Sequence, residues 1–262
     1  MKRFLCLSVF VALVLTNTAA FAADDCAKIT ATGHPQYPAI SFQQGDALVG
    51  AAPMLVETIA KKLNVPLQSK FMGNWADAQA AARDGKADMI FGIYYNDERA
   101  KYLDYVKPAF MYDDVAIFVA KGKAFPFKGQ DDLIGKKGVT NQGESYGTEA
   151  DALIKDKLDV TRADGIDAAF KDLLDGKADY LIAGYYPGLA EAAKDGVKDE
   201  VEVLDQAVLT AEMFVAFSKK SPCTALAEKF GQAITEMTTD GSFDKMLTDA
   251  SQAWDVANPP KQ

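Results

Sequence analysis

A chain of 262 residues with 28 basic and 37 acidic side chains carries a net charge of −9, which gives nucleic acid or an anionic membrane little to hold. One histidine and three scattered cysteines do not make a metal-ligand cluster, so neither a metal nor another cofactor is expected. The length suffices for two small lobes or one larger domain.

The amino end reads as an export signal. Lys2 and Arg3 form a positive head, Phe4 to Leu15 is apolar and uncharged, and Ala20-Phe21-Ala22 offers the small-x-small pattern a signal peptidase accepts. The apolar run is too short for a stable membrane span, so residues 1–22 are read as a cleaved signal peptide and the product as periplasmic. Without Lys2 and Arg3 the chain has 26 basic against 37 acidic residues, hence a charge of −11. Cys26 and Cys223 then remain as an even pair in an oxidising compartment. One disulfide between them is expected, with two free thiols as the alternative.

Lys28 to Ala31 reads as a first strand, followed by a Gly/Pro-rich loop, Gly33 to Pro38, that carries His34 and Tyr37. Pro53 suits the first turn of a helix, and Met54, Leu55, Ile59 and Leu63 recur at helical spacing after it. Tyr37 and Trp75 each offer a flat face to an apolar or cationic ligand group, or else pack half-buried. His34 either lines the same place or bonds to its own loop's backbone.

An internal repeat organises the middle of the chain. Asp84-Gly85-Lys86-Ala87-Asp88-Met89-Ile90-Phe91-Gly92-Ile93-Tyr94-Tyr95 returns 91 residues later as Asp175-Gly176-Lys177-Ala178-Asp179-Tyr180-Leu181-Ile182-Ala183-Gly184-Tyr185-Tyr186. Helical patterns, Ala76 to Asp84 and Ile166 to Asp175, precede the two copies, and each stops at a glycine that tolerates a left-handed cap. Each copy thus reads helix, glycine stop, buried strand, tyrosine pair, which implies an α/β chain of two similar lobes. Ligands bind beyond the carboxyl ends of parallel strands, so Tyr94, Tyr95, Tyr185 and Tyr186 are candidate cleft residues.

Asn96 is placed to cap a helix with Arg99 in its first turn. There a guanidinium can grip a carboxylate while the helix amino end adds attraction. A surface ion pair with Asp97, Glu98 or Asp104 is the competing reading. Gln142-Gly143-Glu144-Ser145-Tyr146-Gly147 joins a strand to a helix from about Thr148, where backbone N–H groups and the Ser145 hydroxyl can face an anion. Val115 to Val119 and Met213 to Phe217 are strand-like and suit two antiparallel hinge strands. The lobes expected from them are 23–118 with 213–262, and 119–212. Leu226, Phe230, Ile234 and Met237 keep helical spacing near the carboxyl end.

In this order the segments resemble the amino-acid-binding, family 3, periplasmic solute-binding proteins of ABC transporters. The resemblance rests on Gly33 through Phe42, Gly50 and the helix after it, Trp75, Asp84-Gly85-Lys86-Ala87-Asp88, Asn96-Asp97-Glu98-Arg99, Asp104-Tyr105-Val106-Lys107-Pro108 and Asp132 through Val139. It implies a two-lobed periplasmic-binding-protein type II fold, a monomer that closes on a small-molecule ligand and serves an inner-membrane ABC permease, and Arg99 as the grip on an α-carboxylate. The ligand-binding set expected is Tyr37, Trp75, Tyr94, Tyr95, Arg99, Gln142, Glu144, Ser145 and Tyr185. Two departures stand out: Gly184 lies where the family commonly has an acid for the α-ammonium, and Tyr94 where a Ser or Thr hydroxyl is usual, in a stretch one residue short. Glu144, Asp113 or Asp114 are the candidates to replace that acid. The chain is expected not to be an enzyme, since it shows no nucleophile–base pair. A cyclohexadienyl-dehydratase-like enzyme on the same fold, or a sensor module with a membrane kinase as partner, are the alternatives.

Overall fold

The computed structural model describes residues 26–259; the signal peptide expected at 1–22 lies outside them. Strand β1 (Ile29–Gly33) leads into a small antiparallel sheet of β2 (Gln36–Tyr37), β3 (Ser41–Gln44) and β4 (Ala47–Val49). Then come α1 (Ala51–Lys62), β5 (Leu67–Ser69), α2 (Trp75–Asp84), β6 (Met89–Tyr94), the single turn α3 (Asp97–Ala100), β7 (Leu103–Tyr105) and the long β8 (Met111–Ala120). A second α/β run follows: β9 (Lys137–Asn141), α4 (Thr148–Lys157), β10 (Asp159–Ala163), α5 (Ile166–Leu174), β11 (Tyr180–Gly184), α6 (Tyr185–Asp195) and β12 (Val201–Val203). The equally long β13 (Leu209–Ser218) returns the chain to α7 (Ala227–Thr239) and α8 (Ser242–Ala257).

Two parallel cores result. β1 lies between β5 and β6, and β9 between β10 and β11, all parallel. The antiparallel strands β8 and β13 join them. They pair with each other over Met111–Val115 and Leu209–Met213, then part: β8 runs on beside β11, and β13 runs on beside β6. These are the two hinge-strand candidates of the sequence, and β8 changes neighbour at Val115.

The repeat owes its shape to local chemistry. Gly85 (φ 78°) and Gly176 (φ 73°) take the left-handed conformation that stops α2 and α5 at little steric cost. After each, an apolar strand is buried on both faces. Phe91, Phe217 and Phe230 fill one core, and Phe118 against Phe170 fills the other. Each such ring contributes about 2–3 kcal/mol by leaving water. The copies diverge at their ends. Gly92 (φ 69°) makes a bulge in β6, since Phe214 and Val215 face Ile93 and Phe91 and skip it. β11 instead stops at Gly184, and Tyr185 opens α6.

Cys26 and Cys223 are bonded, which ties the start of the described chain to the turn before α7.

Candidate functional site

The carboxyl ends of β1, β6 and β11 converge where the two lobes meet. Asn96 caps α3 by accepting from the Arg99 amide at 2.7 Å, so Arg99 stands in the first turn as its spacing predicts. Its side chain turns inward and is 3% exposed. Nε donates to Gln79 Oε1 (2.9 Å), Nη1 to the Tyr94 carbonyl (3.1 Å) and Nη2 to the Gly143 carbonyl (3.1 Å). The guanidinium carbon lies 5.5 Å from the Trp75 ring centre. Among the described residues no carboxylate pairs with this buried cation, and a guanidinium has further N–H groups to give.

Tyr37 and Trp75 do flank a common space, and His34 fills it. The imidazole is 5.3 Å from the Tyr37 ring and 5.0 Å from the Trp75 ring. The Gln36 amide donates to Nδ1 at 2.9 Å, which places the proton of a neutral ring on Nε2, where Glu144 accepts it at 2.9 Å. Both sequence readings of His34 therefore hold: it bonds to its loop's backbone and it lines the seam. Asn141 of the second lobe packs against the same ring edge, its Nδ2 3.1 Å from Nε2.

A buried carboxyl group stands behind this cluster. Asp113, 2% exposed, accepts on Oδ2 from the Tyr94 hydroxyl at 2.5 Å and from the Tyr37 hydroxyl, and the two hydroxyls are 2.6 Å apart. Burial pushes its pKa up, and the two tyrosine donors oppose that by favouring the ionised form. Burial also pushes the Tyr37 and Tyr94 hydroxyls well up, and the Asp113 charge adds to it. Asp113 lies 2.9 Å from the position a Cβ would take on Gly184. The family's acid has no room at 184, because the Tyr37 hydroxyl occupies it, and a carboxyl group reaches the same place from β8.

Other expected residues are placed differently. Ser145 is buried, yet its hydroxyl is already engaged with Asn96 Nδ2 (2.5 Å) and with Asp151. The Tyr146 amide donates to Asp151 Oδ1 at 2.8 Å, so this loop supplies its own anion from the first turn of α4. Gln142 is exposed and makes only a backbone bond to Ala163. Tyr95 is 45% exposed and bonds to Asp97, and Tyr185 is 36% exposed beside Tyr186. The structure thus brings Tyr37, Trp75, Tyr94, Arg99 and Glu144 together and leaves Gln142, Tyr95 and Tyr185 outside. Because Tyr185 begins a helix, it does not repeat the inward course of Tyr94.

The lobes touch at several points of the seam. Gln79 Nε2 donates to the Gly143 carbonyl (2.9 Å), the Asp97 amide to Thr148 (3.2 Å), and Lys194 of α6 lies over the Trp254 ring of α8. Between His34, Tyr37, Glu144, Tyr146 and Gly184 a cavity of about 20 Å³ remains, room for one water molecule.

Residues 29–249 match the model of the bacterial extracellular solute-binding proteins, family 3. A probable histidine-binding protein of Campylobacter jejuni is 26% identical over 219 residues, 81% of this chain and 80% of that one. The amino-acid-binding protein AabA of Dichelobacter nodosus is 24% identical over 218 residues, 81% and 83% of the two chains. Among solved structures, the amino acid ABC transporter substrate-binding protein AbpA of Streptococcus pneumoniae, bound to L-arginine, superposes with a TM-score of 0.71 at 21% identity, over 87% of this chain and 96% of that one. A histidine kinase sensor domain similar to periplasmic binding proteins gives 0.73 at 19% identity, over 87% and 97%. The match to the family model spans nearly all of the described fold, and the chain belongs to the family 3 bacterial extracellular solute-binding proteins.

Proposed function

We propose that this chain is a periplasmic receptor that closes its two lobes on one small polar solute bearing a carboxylate, an amino acid or an amino-acid-like acid, and delivers it to an inner-membrane ABC permease. Arg99 carries the reading. A buried guanidinium that, among the described residues, meets only neutral acceptors, drawn from both lobes, keeps its charge and N–H groups for an anion. Around it, Tyr37, Trp75, Tyr94 and Glu144 form the walls, and a ligand that contacts both lobes favours the closed form by its differential affinity. Gln142, Tyr95, Ser145 and Tyr185 serve at most from the rim or after rearrangement. Family membership, and relatives named for histidine and amino-acid binding, support binding without chemical change.

Isothermal titration of the exported chain with a panel of amino acids and organic acids tests this. One or more carboxylates should bind and raise Tm by mass action, and Arg99→Ala should abolish that binding. A panel without a single binder, or an Arg99→Ala variant with unchanged affinity, overturns the assignment. The likeness to a kinase sensor domain favours one second reading, delivery of the same ligand signal to a membrane kinase. Co-purification with a permease or with a kinase separates the two.

A further inference from the structure

Beside the crossing of β8 and β13 lies a second and far larger cavity, about 840 Å³, within the range that suits organic ligands. Both lobes wall it. Ile40, Phe110 and Tyr112 come from one side and Tyr186 at the start of α6 from the other, and Phe243 of α8 also lines it. Tyr112 and Tyr186 are the most exposed aromatic side chains among the described residues, at 66% and 67%, so faces that would otherwise pack are held open around this space.

Asp113 lines the same cavity, and its place there is chemically unfinished. Both of its hydrogen bonds come from tyrosine hydroxyls and both land on Oδ2, which leaves Oδ1 without a bond among the described residues. Among the described residues no basic side chain is paired with it, and none of those that line the cavity is basic. Asp244, from α8, adds a second carboxyl group to the wall. A carboxylate withdrawn from water without a counter-charge draws a cation, and aromatic faces draw the same kind of ligand. Asp113 lines the large cavity and not the small one at the seam, which Tyr37 lines instead.

We propose that this cavity is a ligand site separate from the Arg99 seam, and that it takes an organic ammonium ion with an aromatic or aliphatic body. The ammonium group meets Asp113 Oδ1, and the body lies between Tyr112, Tyr186 and Phe110. An organic acid is repelled by the two carboxyl groups, and a neutral alcohol of the same shape gains only the apolar part. Among the described residues none that lines this cavity bonds to Arg99; Asp113 alone joins it to the seam, through the Tyr37 and Tyr94 hydroxyls.

The test titrates the exported chain with phenethylamine, 2-phenylethanol and 3-phenylpropionate by isothermal calorimetry, and follows the Met111 methyl by NMR. Phenethylamine should bind and shift Met111, with at least about 10-fold preference over the alcohol and the acid. Asp113→Asn should lower the amine's affinity by at least about 10-fold, and Tyr112→Ala together with Tyr186→Ala, both at exposed positions, by a comparable factor. No amine binding at about 10 mM, equal binding of the alcohol, or an Asp113→Asn variant with unchanged affinity overturns the proposal. If Asp113→Asn does not fold, the tyrosine variants and the Met111 shift decide it alone: amine-specific loss supports the site, and no difference overturns it.

Discussion

The Tyr37 hydroxyl occupies the space that a Cβ would need on Gly184. Glycine is thus required there by its neighbour across the seam, not by its own backbone, whose φ of −59° any residue can adopt. Gly184→Ala should destabilise the protein by about 1–3 kcal/mol through overpacking. In a Tyr37→Ala background, where the hydroxyl is gone, the same change should cost much less. Urea unfolding of the four proteins in this double-mutant cycle measures the coupling, and additive effects would break the stated link.

Asp113 makes a signed prediction about pH. Its carboxyl pKa is raised in the folded state by burial, so between the unfolded value, about 3.9, and the folded one the native protein holds the extra proton. Its contribution to stability therefore falls as pH rises through that interval and stays reduced above it. Asp113→Asn should gain in Tm relative to wild type as pH goes from acidic to neutral, and the gain should vanish below the unfolded pKa. Thermal scans of both proteins across pH 3 to 8 read the difference directly.

The tyrosine donors on Asp113 act in the opposite direction. Tyr94→Phe removes one of two hydrogen bonds to a buried carboxyl group, and should cost about 1–3 kcal/mol by chemical denaturation at neutral pH. The loss should shrink in acid, where the protonated carboxyl no longer needs the donor.

His34 links the lobes through Glu144 and Asn141. His34→Ala removes both links and the ring between Tyr37 and Trp75, so the ligand-free protein should show a larger radius of gyration by small-angle scattering. Gln36→Ala, whose side chain makes only a long 3.4 Å contact to Asp167, should leave the scattering as it is.

The Cys26–Cys223 bond closes a ring with a sequence separation of 197 residues. Removing it by Cys26→Ser with Cys223→Ser should lower stability by up to about 5 kcal/mol, with native-state strain reducing the figure. Because Cys223 is fully buried, reductant should act slowly on the folded protein and quickly in denaturant.

Much of the frame is legible in the chain itself. The glycine stops at 85 and 176 and the Asn96 cap before Arg99 follow from local rules that tertiary context leaves alone, while the two long strands show in their apolar runs and the cysteine pair in its even count in an oxidising compartment. The seam is less legible, because its content is set by what faces it from the other lobe. Tyr185 and Tyr94 match in the repeat, yet a helix start in one copy and a bulge at Gly92 in the other send them different ways. Asp113 emerges from the sequence only as one of three possible acids, since strand character is plain only from Val115 onward. A signal is nonetheless present: Asp113 shares the i, i+2 parity of Val115, Ile117 and Val119, all buried, so extending the strand two residues upstream turns a carboxyl group inward.

The chain has two tryptophans, and both adjoin the seam. Trp75 lies against His34 and Arg99, and Trp254, at the far end of the last helix, lies beneath Lys194 of α6. Each indole therefore has a charged or polar quencher brought to it by a neighbouring element, Lys194 by the opposite lobe. The emission of Trp254 becomes a built-in gauge of how far the lobes stand apart, readable without labels.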